Sequence, residues 1–167
     1  LVRDRGAFLC TTLSPARPYA LFDRAVTGAS EVEQYNGNVV FRGIIDCAKA
    51  ALENDIPVVL GNDVGCPWIT QYDFWRELYY FCKYIGVSNS FALWTATARS
   101  AELAGIGDIT GSITPGKYAD MIVTAENPLD DIRSLRNIDT VIARGRVYEH
   151  PRVKVNTRVA AELDKFI

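Results

Sequence analysis

Apolar residues along the chain fall into short unbroken runs and into longer stretches with helical spacing. The most compact run is Ile56-Pro57-Val58-Val59-Leu60, closed by Gly61-Asn62-Asp63-Val64-Gly65. Successive aliphatic residues suit a strand buried on both faces, as in a parallel sheet. Pro57 belongs near the strand's start, where its missing N–H costs least. Gly6 to Leu13 predicts a second buried strand, ended by Ser14-Pro15-Ala16-Arg17-Pro18, which the two prolines mark as a loop. Residues 19–37 show no sustained period and read as a loop with room for one helical turn. From Asn38 the spacing becomes helical: Val40, Ile44, Cys47, Ala48 and Ala51 form one stripe, fading near Asn54. Strand, loop, helix, strand is the β-α-β grammar of a parallel sheet.

Beyond the Asp63 loop, Thr70-Gln71-Tyr72-Asp73 has the form of a capping box. Phe74, Leu78, Phe81, Cys82 and Ile85 then recur at helical spacing, with Gly86 placed to end the helix. These aromatics read as core rather than as a cofactor box. Ser88 opens a further helix through Phe91, Trp94, Ala98 and Ala101, ending near Ala104-Gly105. The texture then turns to β. Ile109 to Ile113 leads to the turn pair Pro115-Gly116, Met121 to Thr124 and Val141 to Arg144 read as strands, and Gly145-Arg146 as a tight turn before Val147-Tyr148. Val159, Leu163 and Phe166 predict a closing helix, and no internal repeat is present.

Composition narrows the class. With 49% hydrophobic and 23% charged residues in 167, the chain is that of a soluble globular protein of one domain or one and a half. A net charge of −2 provides neither a nucleic-acid footprint nor a polybasic membrane patch. No apolar run approaches the roughly 20 residues that span a bilayer, and no signal peptide is read at the N-terminus. The four cysteines form no C-x-x-C pair, which argues against a zinc knuckle, and two of them fall in apolar stretches, which suits reduced, buried thiols in a cytoplasmic protein. Cys66 is the thiol nearest the Asp63 loop. The single methionine is Met121 and the chain starts at Leu1, which fits processing, a cloning boundary or a piece of a longer protein.

Ligands in α/β folds gather at the C-terminal ends of parallel strands. Asp63 stands there and is a candidate site residue; equally, it reads as a loop-shaping or capping aspartate.

A family resemblance is carried by three runs near the C-terminus and two earlier segments. Thr114-Pro115-Gly116-Lys117-Tyr118-Ala119-Asp120-Met121-Ile122-Val123, then Asn127-Pro128-Leu129, then Val141 to Val147, resemble the closing signature of the amidohydrolase superfamily, with its imidazolonepropionase-like and prolidase-like metal-dependent hydrolases. Ala92 to Ala98 resembles the A-L-x-x-A-T helix that leads into that region. Gly61-Asn62-Asp63-Val64-Gly65 resembles the G-T-D-x-G at the end of barrel strand 8, with Asn62 in place of threonine.

The resemblance implies an α/β fold: strands 7 and 8 of a TIM barrel with their helices (1–105), part of a flanking β-sandwich (106–150) and a C-terminal tail helix (151–167). It implies hydrolysis of a C–N bond by metal-activated water, zinc being the expected metal. Asp63 would be general base and acid and a weak metal ligand. Arg17, Asn62, Trp68 and Tyr72 are substrate-binding candidates at the barrel mouth, with Ser14 and Cys66 beside them. Arg17 is the favoured partner for a substrate carboxylate, because a guanidinium grips one bidentately. The family's His-x-His pair is absent, and the lone histidine, His150, precedes Pro151.

The expected partners are a small-molecule substrate and the N-terminal barrel portion of the same protein, with no nucleic acid or membrane; homo-oligomerisation is left open. Alone, the chain is expected to bind no catalytic metal, to hydrolyse no amide, to be aggregated or molten, and to leave Val58 to Leu60 partly exposed. The alternative is a non-catalytic, degenerate subunit that completes or regulates a partner.

Overall fold

The computed structural model describes residues 1–167. Two strands, β1 (Leu9–Thr11) and β2 (Val58–Leu60), pair in parallel, with Leu9 opposite Val58 and Thr11 opposite Leu60. Between them run α1 (Ala16–Leu21), α2 (Arg24–Thr27) and the long α3 (Glu31–Glu53). The predicted strand–helix–strand unit is therefore present, with shorter strands.

Of the loop predicted from Ser14 to Pro18, only Ser14 and Pro15 precede a helix, and Ala16 to Pro18 are the start of α1. Pro15 caps this helix and Pro18 lies in its first turn, where a missing N–H has no acceptor to lose. Likewise α3 begins seven residues before the expected Asn38. Ser30 Oγ accepts from the Glu33 N–H at 3.3 Å while Glu33 Oε2 accepts from the Ser30 N–H at 2.8 Å, a reciprocal cap. Gly37, expected in a loop, sits inside α3, where a Cβ would meet Tyr19 Cβ at 2.8 Å. Glycine lets α1 cross close by.

After β2, α4 (Trp75–Tyr80) continues as a π-helical turn from Phe81 to Ile85, ended by Gly86 in the left-handed region as expected. The Thr70–Asp73 pair forms, with Thr70 Oγ1 donating to Asp73 Oδ2 at 2.9 Å, but it precedes the helix by one residue and caps nothing. Next come α5 (Asn89–Trp94), capped by Ser88, a second π-helical stretch (Thr95–Arg99), and α6 (Ser100–Leu103). Ile109 to Ile113 folds as turns against α6, not as β structure: a Cβ on Gly111 would stand 2.6 Å from Ala101 Cβ.

A second, antiparallel sheet holds β3 (Met121–Thr124), β4 (Ile138–Ala143) and β5 (Arg146–Glu149) in that order. Arg144 and Gly145 both have positive φ, 48° and 79°, the geometry of a two-residue hairpin turn. The tail helix α7 spans Thr157–Asp164.

One core runs through the molecule, from Leu13, Phe41 and Ala48 through Val58 and Leu60 to Leu78, Phe81 and Ala92. The expectation that Val58 to Leu60 would be partly exposed fails: they are 3%, 1% and 7% exposed. β1, α3, the Thr95–Arg99 turn and α6 all pack on β2, so its faces are covered within this chain. The buried-thiol expectation fails too. Cys10, Cys47 and Cys66 are exposed and Cys82 is half-buried, all four unpaired. No helix is long and apolar enough to cross a membrane.

Candidate functional site

Because β1 and β2 are parallel, their following loops leave the sheet at the same end. They are also close together. A Cβ on Gly61 would meet Cys10 Sγ at 3.0 Å and Thr12 Cγ2 at 3.1 Å, so glycine lets β2 turn tightly against the loop after β1. Asp63 follows with φ +49°, a left-handed conformation that aspartate tolerates better than most residues. The Cys66 N–H closes the turn on the Asp63 carbonyl at 3.1 Å. The result is an exposed carboxylate at the C-terminal end of a parallel strand pair.

The other predicted site residues are only partly gathered there. Asn62, Ser14 and Trp68 line one small cavity of about 10 Å³ with Thr70, Arg76 and Tyr80. That volume suits a single water molecule. Trp68 is held with φ +71° and its ring meets the Phe22 ring edge-on at 5.3 Å.

Arg17 is fully buried. Its Nη1 donates to the Tyr80 hydroxyl at 2.6 Å and its Nη2 to the Phe166 carbonyl at 3.2 Å, with the guanidinium lying over both rings. In this arrangement it offers no face to solvent and pairs with no carboxylate. Tyr72 is engaged with the tail; its hydroxyl accepts from the Asn156 N–H at 2.7 Å. It lines a different and larger groove of about 870 Å³, between α4, α5 and the second sheet. That groove is far roomier than the cavity at Asn62, yet none of its lining residues comes from the 61–70 loop, so its size does not make it the chemical site.

Two residues near Asp63 escape a reading of the sequence alone. Glu77 on α4 is wholly buried, and its carboxylate accepts three hydrogen bonds: from the Leu13 N–H at 2.6 Å, the Ser14 N–H at 2.8 Å and the Ser14 hydroxyl at 2.5 Å. Burial pushes its carboxyl up to about 7; the three donors work against that rise, and the charge of Asp63 adds to it. The available signal is a lone carboxylate between Phe74 and Leu78 on an otherwise apolar helical stripe. Cys10, at the β1 end of the strand pair, is a second thiol beside the site, its Sγ standing 3.0 Å from where a Cβ on Gly61 would be. Although the residue is exposed as a whole, partial burial of its thiol, and then the charges of Asp63 and Glu77, raise it above the ordinary value.

The donor set does not fit a divalent metal. No group of three or more His, Cys, Asp or Glu side chains is placed to hold an ion, and a catalytic zinc normally takes three protein ligands. Asp63 contributes one exposed carboxylate, while Glu77 is committed to the Leu13–Ser14 loop.

The model of the amidohydrolase family matches residues 9–148, and the chain belongs to that family. Among solved structures, it is similar to a Bifidobacterium longum protein assigned as a prolidase, at 36% identity and TM-score 0.91, over 95% of this chain and 39% of that one. It is also similar to a Xaa-Pro dipeptidase with methionine bound in its active site, at 29% identity and TM-score 0.76, over 89% of this chain and 36% of that one. The ochratoxinase of A. niger, at 21% identity and TM-score 0.71, over 91% of this chain and 34% of that one, shares the fold. No curated protein matches significantly. The fold is thus α/β, resembling the amidohydrolase TIM-barrel proteins, and the chain spans about two-fifths of the length of the first two structures.

Proposed function

We propose that this chain supplies the C-terminal part of a metal-dependent amidohydrolase acting on a C–N bond of a small substrate such as a dipeptide. In this reading β1 and β2 are the seventh and eighth strands of a TIM barrel within residues 1–105. Residues 106–150 form part of a flanking β-sandwich, and 151–167 a tail helix. Support comes from family membership together with a prolidase-like neighbour that aligns with nearly all of this chain.

The observation that carries the chemical half is the placement of Asp63, exposed on a left-handed turn just past the parallel strand end. A carboxylate there accepts a proton from the attacking water and returns it to the leaving amine, acting first as base and then as acid. Amidohydrolases in general use divalent metals; zinc is our expectation, and since the donors on this chain do not form its site, we assign the remaining ligands to residues outside it. The four unpaired cysteines suit a reducing, cytoplasmic setting.

Asn62 and Trp68 are the substrate contacts this geometry favours, since both flank the Asp63 turn. Arg17 and Tyr72 reach a substrate only if the tail and its contacts move. The test uses the natural gene product that carries this chain, assayed with the dipeptide Met-Pro before and after metal removal by a chelator. Turnover that disappears on chelation and returns with zinc supports the proposal. No turnover of Met-Pro or of other Xaa-Pro dipeptides favours a non-catalytic, completing subunit instead.

A further inference from the structure

We propose that Glu77 is a positioning residue: its buried carboxylate clamps the Leu13–Ser14 backbone and so fixes the loop after β1 against the Asp63 turn. The proposal rests on the hydrolase reading above for its catalytic consequence, but not for the clamp itself.

The geometry is specific. Glu77 lies on α4, 63 and 64 positions from the residues it holds. Oε1 takes the Leu13 N–H, while Oε2 takes both the N–H and the hydroxyl of Ser14. All three groups donate to the ionised carboxylate, which has an acceptor at both oxygens where an amide has one. Leu13 is completely buried, and Ser14 lines the cavity shared with Asn62, the residue next to Asp63. Movement of the Leu13–Ser14 loop is therefore movement of one wall of that cavity.

No cation neutralises this carboxylate. Arg76 is its neighbour on α4, but its Nη2 pairs with Asp164 on α7. Arg17 on α1 directs its donors to Tyr80, Tyr84 and Phe166. The remaining charged or titratable groups facing it are Asp63 from the β2 loop and Cys10 from β1. A buried charge without a partner is poor material for stability, and burial accordingly raises its proton affinity. What the carboxylate does supply is a fixed position for the loop that donates to it.

The experiment compares wild type with Glu77→Gln in the natural gene product, reading amide hydrogen exchange at Leu13 and Ser14 and the kinetics of Met-Pro hydrolysis. The substituted amide keeps one oxygen but turns an NH2 toward a donor, so exchange at Leu13 or Ser14 should rise roughly 10- to 100-fold while β2 amides stay protected. kcat should fall by a similar factor, with KM changed by less than about threefold, since a displaced wall costs orientation rather than binding. Ser14→Ala keeps both backbone bonds and loses only the hydroxyl contact; it should give the same pattern at smaller size, and it decides the matter if the Glu77→Gln variant does not fold. Unchanged exchange overturns the clamp. Raised exchange with unchanged kcat overturns its catalytic consequence. If wild type hydrolyses neither Met-Pro nor other Xaa-Pro dipeptides, the hydrolase reading is contradicted, and the exchange experiment alone still decides the clamp.

Discussion

Arg76 and Asp164 meet at 2.6 Å across 88 positions of chain, joining α4 to the tail helix. Asp164 also takes Arg136 Nη2 at 2.7 Å, so one carboxylate bridges two arginines. Asp73 lies 3.5 Å from Arg76 Nε, a charge contact too poorly aligned to be a hydrogen bond, which leaves Nε and Nη1 without partners. Arg76 is 3% exposed and therefore depends on Asp164 for its one strong bond.

Asp164→Ala is accordingly expected to destabilise the fold. Breaking a buried pair costs about 3–5 kcal/mol, which we reduce to about 1–2 kcal/mol because a third of Asp164 meets solvent. Burial acts to raise the Asp164 carboxyl, but hydrogen bonds from Arg76 and Arg136 outweigh it and hold it below its ordinary value of 3.8. The stability it lends is thus present above that value and lost as pH falls through the lower, folded-state one. Urea unfolding of wild type and variant, at pH 7 and at pH 3, measures both effects.

Glu77 gives the opposite pH dependence. Its carboxyl is raised from 4.5 to about 7, so the folded protein holds this proton more tightly than the unfolded chain does. Stability from this group is greatest below pH 4.5 and falls by about 3 kcal/mol as pH rises to 7, then levels off. Glu77→Gln should remove that decline. Unfolding free energy measured at intervals between pH 5 and 8 tests it, and parallel curves for the two proteins would contradict the assignment.

Gly37→Ala is a case where helix propensity and packing disagree. Alanine is favoured over glycine in a helix by about 1 kcal/mol. Its Cβ, however, would stand 2.8 Å from Tyr19 Cβ and 2.9 Å from the Tyr19 carbonyl carbon, backbone that cannot swing aside. Overpacking of about 1–3 kcal/mol should win. A lower thermal midpoint is the expected result.

Parts of this structure are legible in the sequence for physical reasons that can be named. Val58 to Leu60, Gly86 and Ser88 are readable because an apolar run, a left-handed helix end and a hydroxyl cap each have a local signature. α1 is misread because proline signals a break, yet is harmless within a first turn. Gly37 is misread because its reason, the approach of Tyr19, lies outside its own segment. Asp63 can be placed at a strand end from sequence, whereas Glu77 cannot be joined to Ser14, because nothing local reports a contact 63 residues away. Arg17 looks like a free cation for the same reason; Tyr80 and Phe166, which enclose it, come from α4 and the tail.

The central claim is that Asp63 moves the proton during hydrolysis, and Asp63→Asn tests it most directly. The substitution keeps the size of an exposed side chain on a left-handed turn that asparagine also tolerates, while removing its basic oxygen. In the natural gene product, Met-Pro turnover should fall by about 10²–10⁴, the usual span of acid–base catalysis, with bound zinc nearly unchanged. Turnover near that of wild type, at equal metal content, would contradict the account.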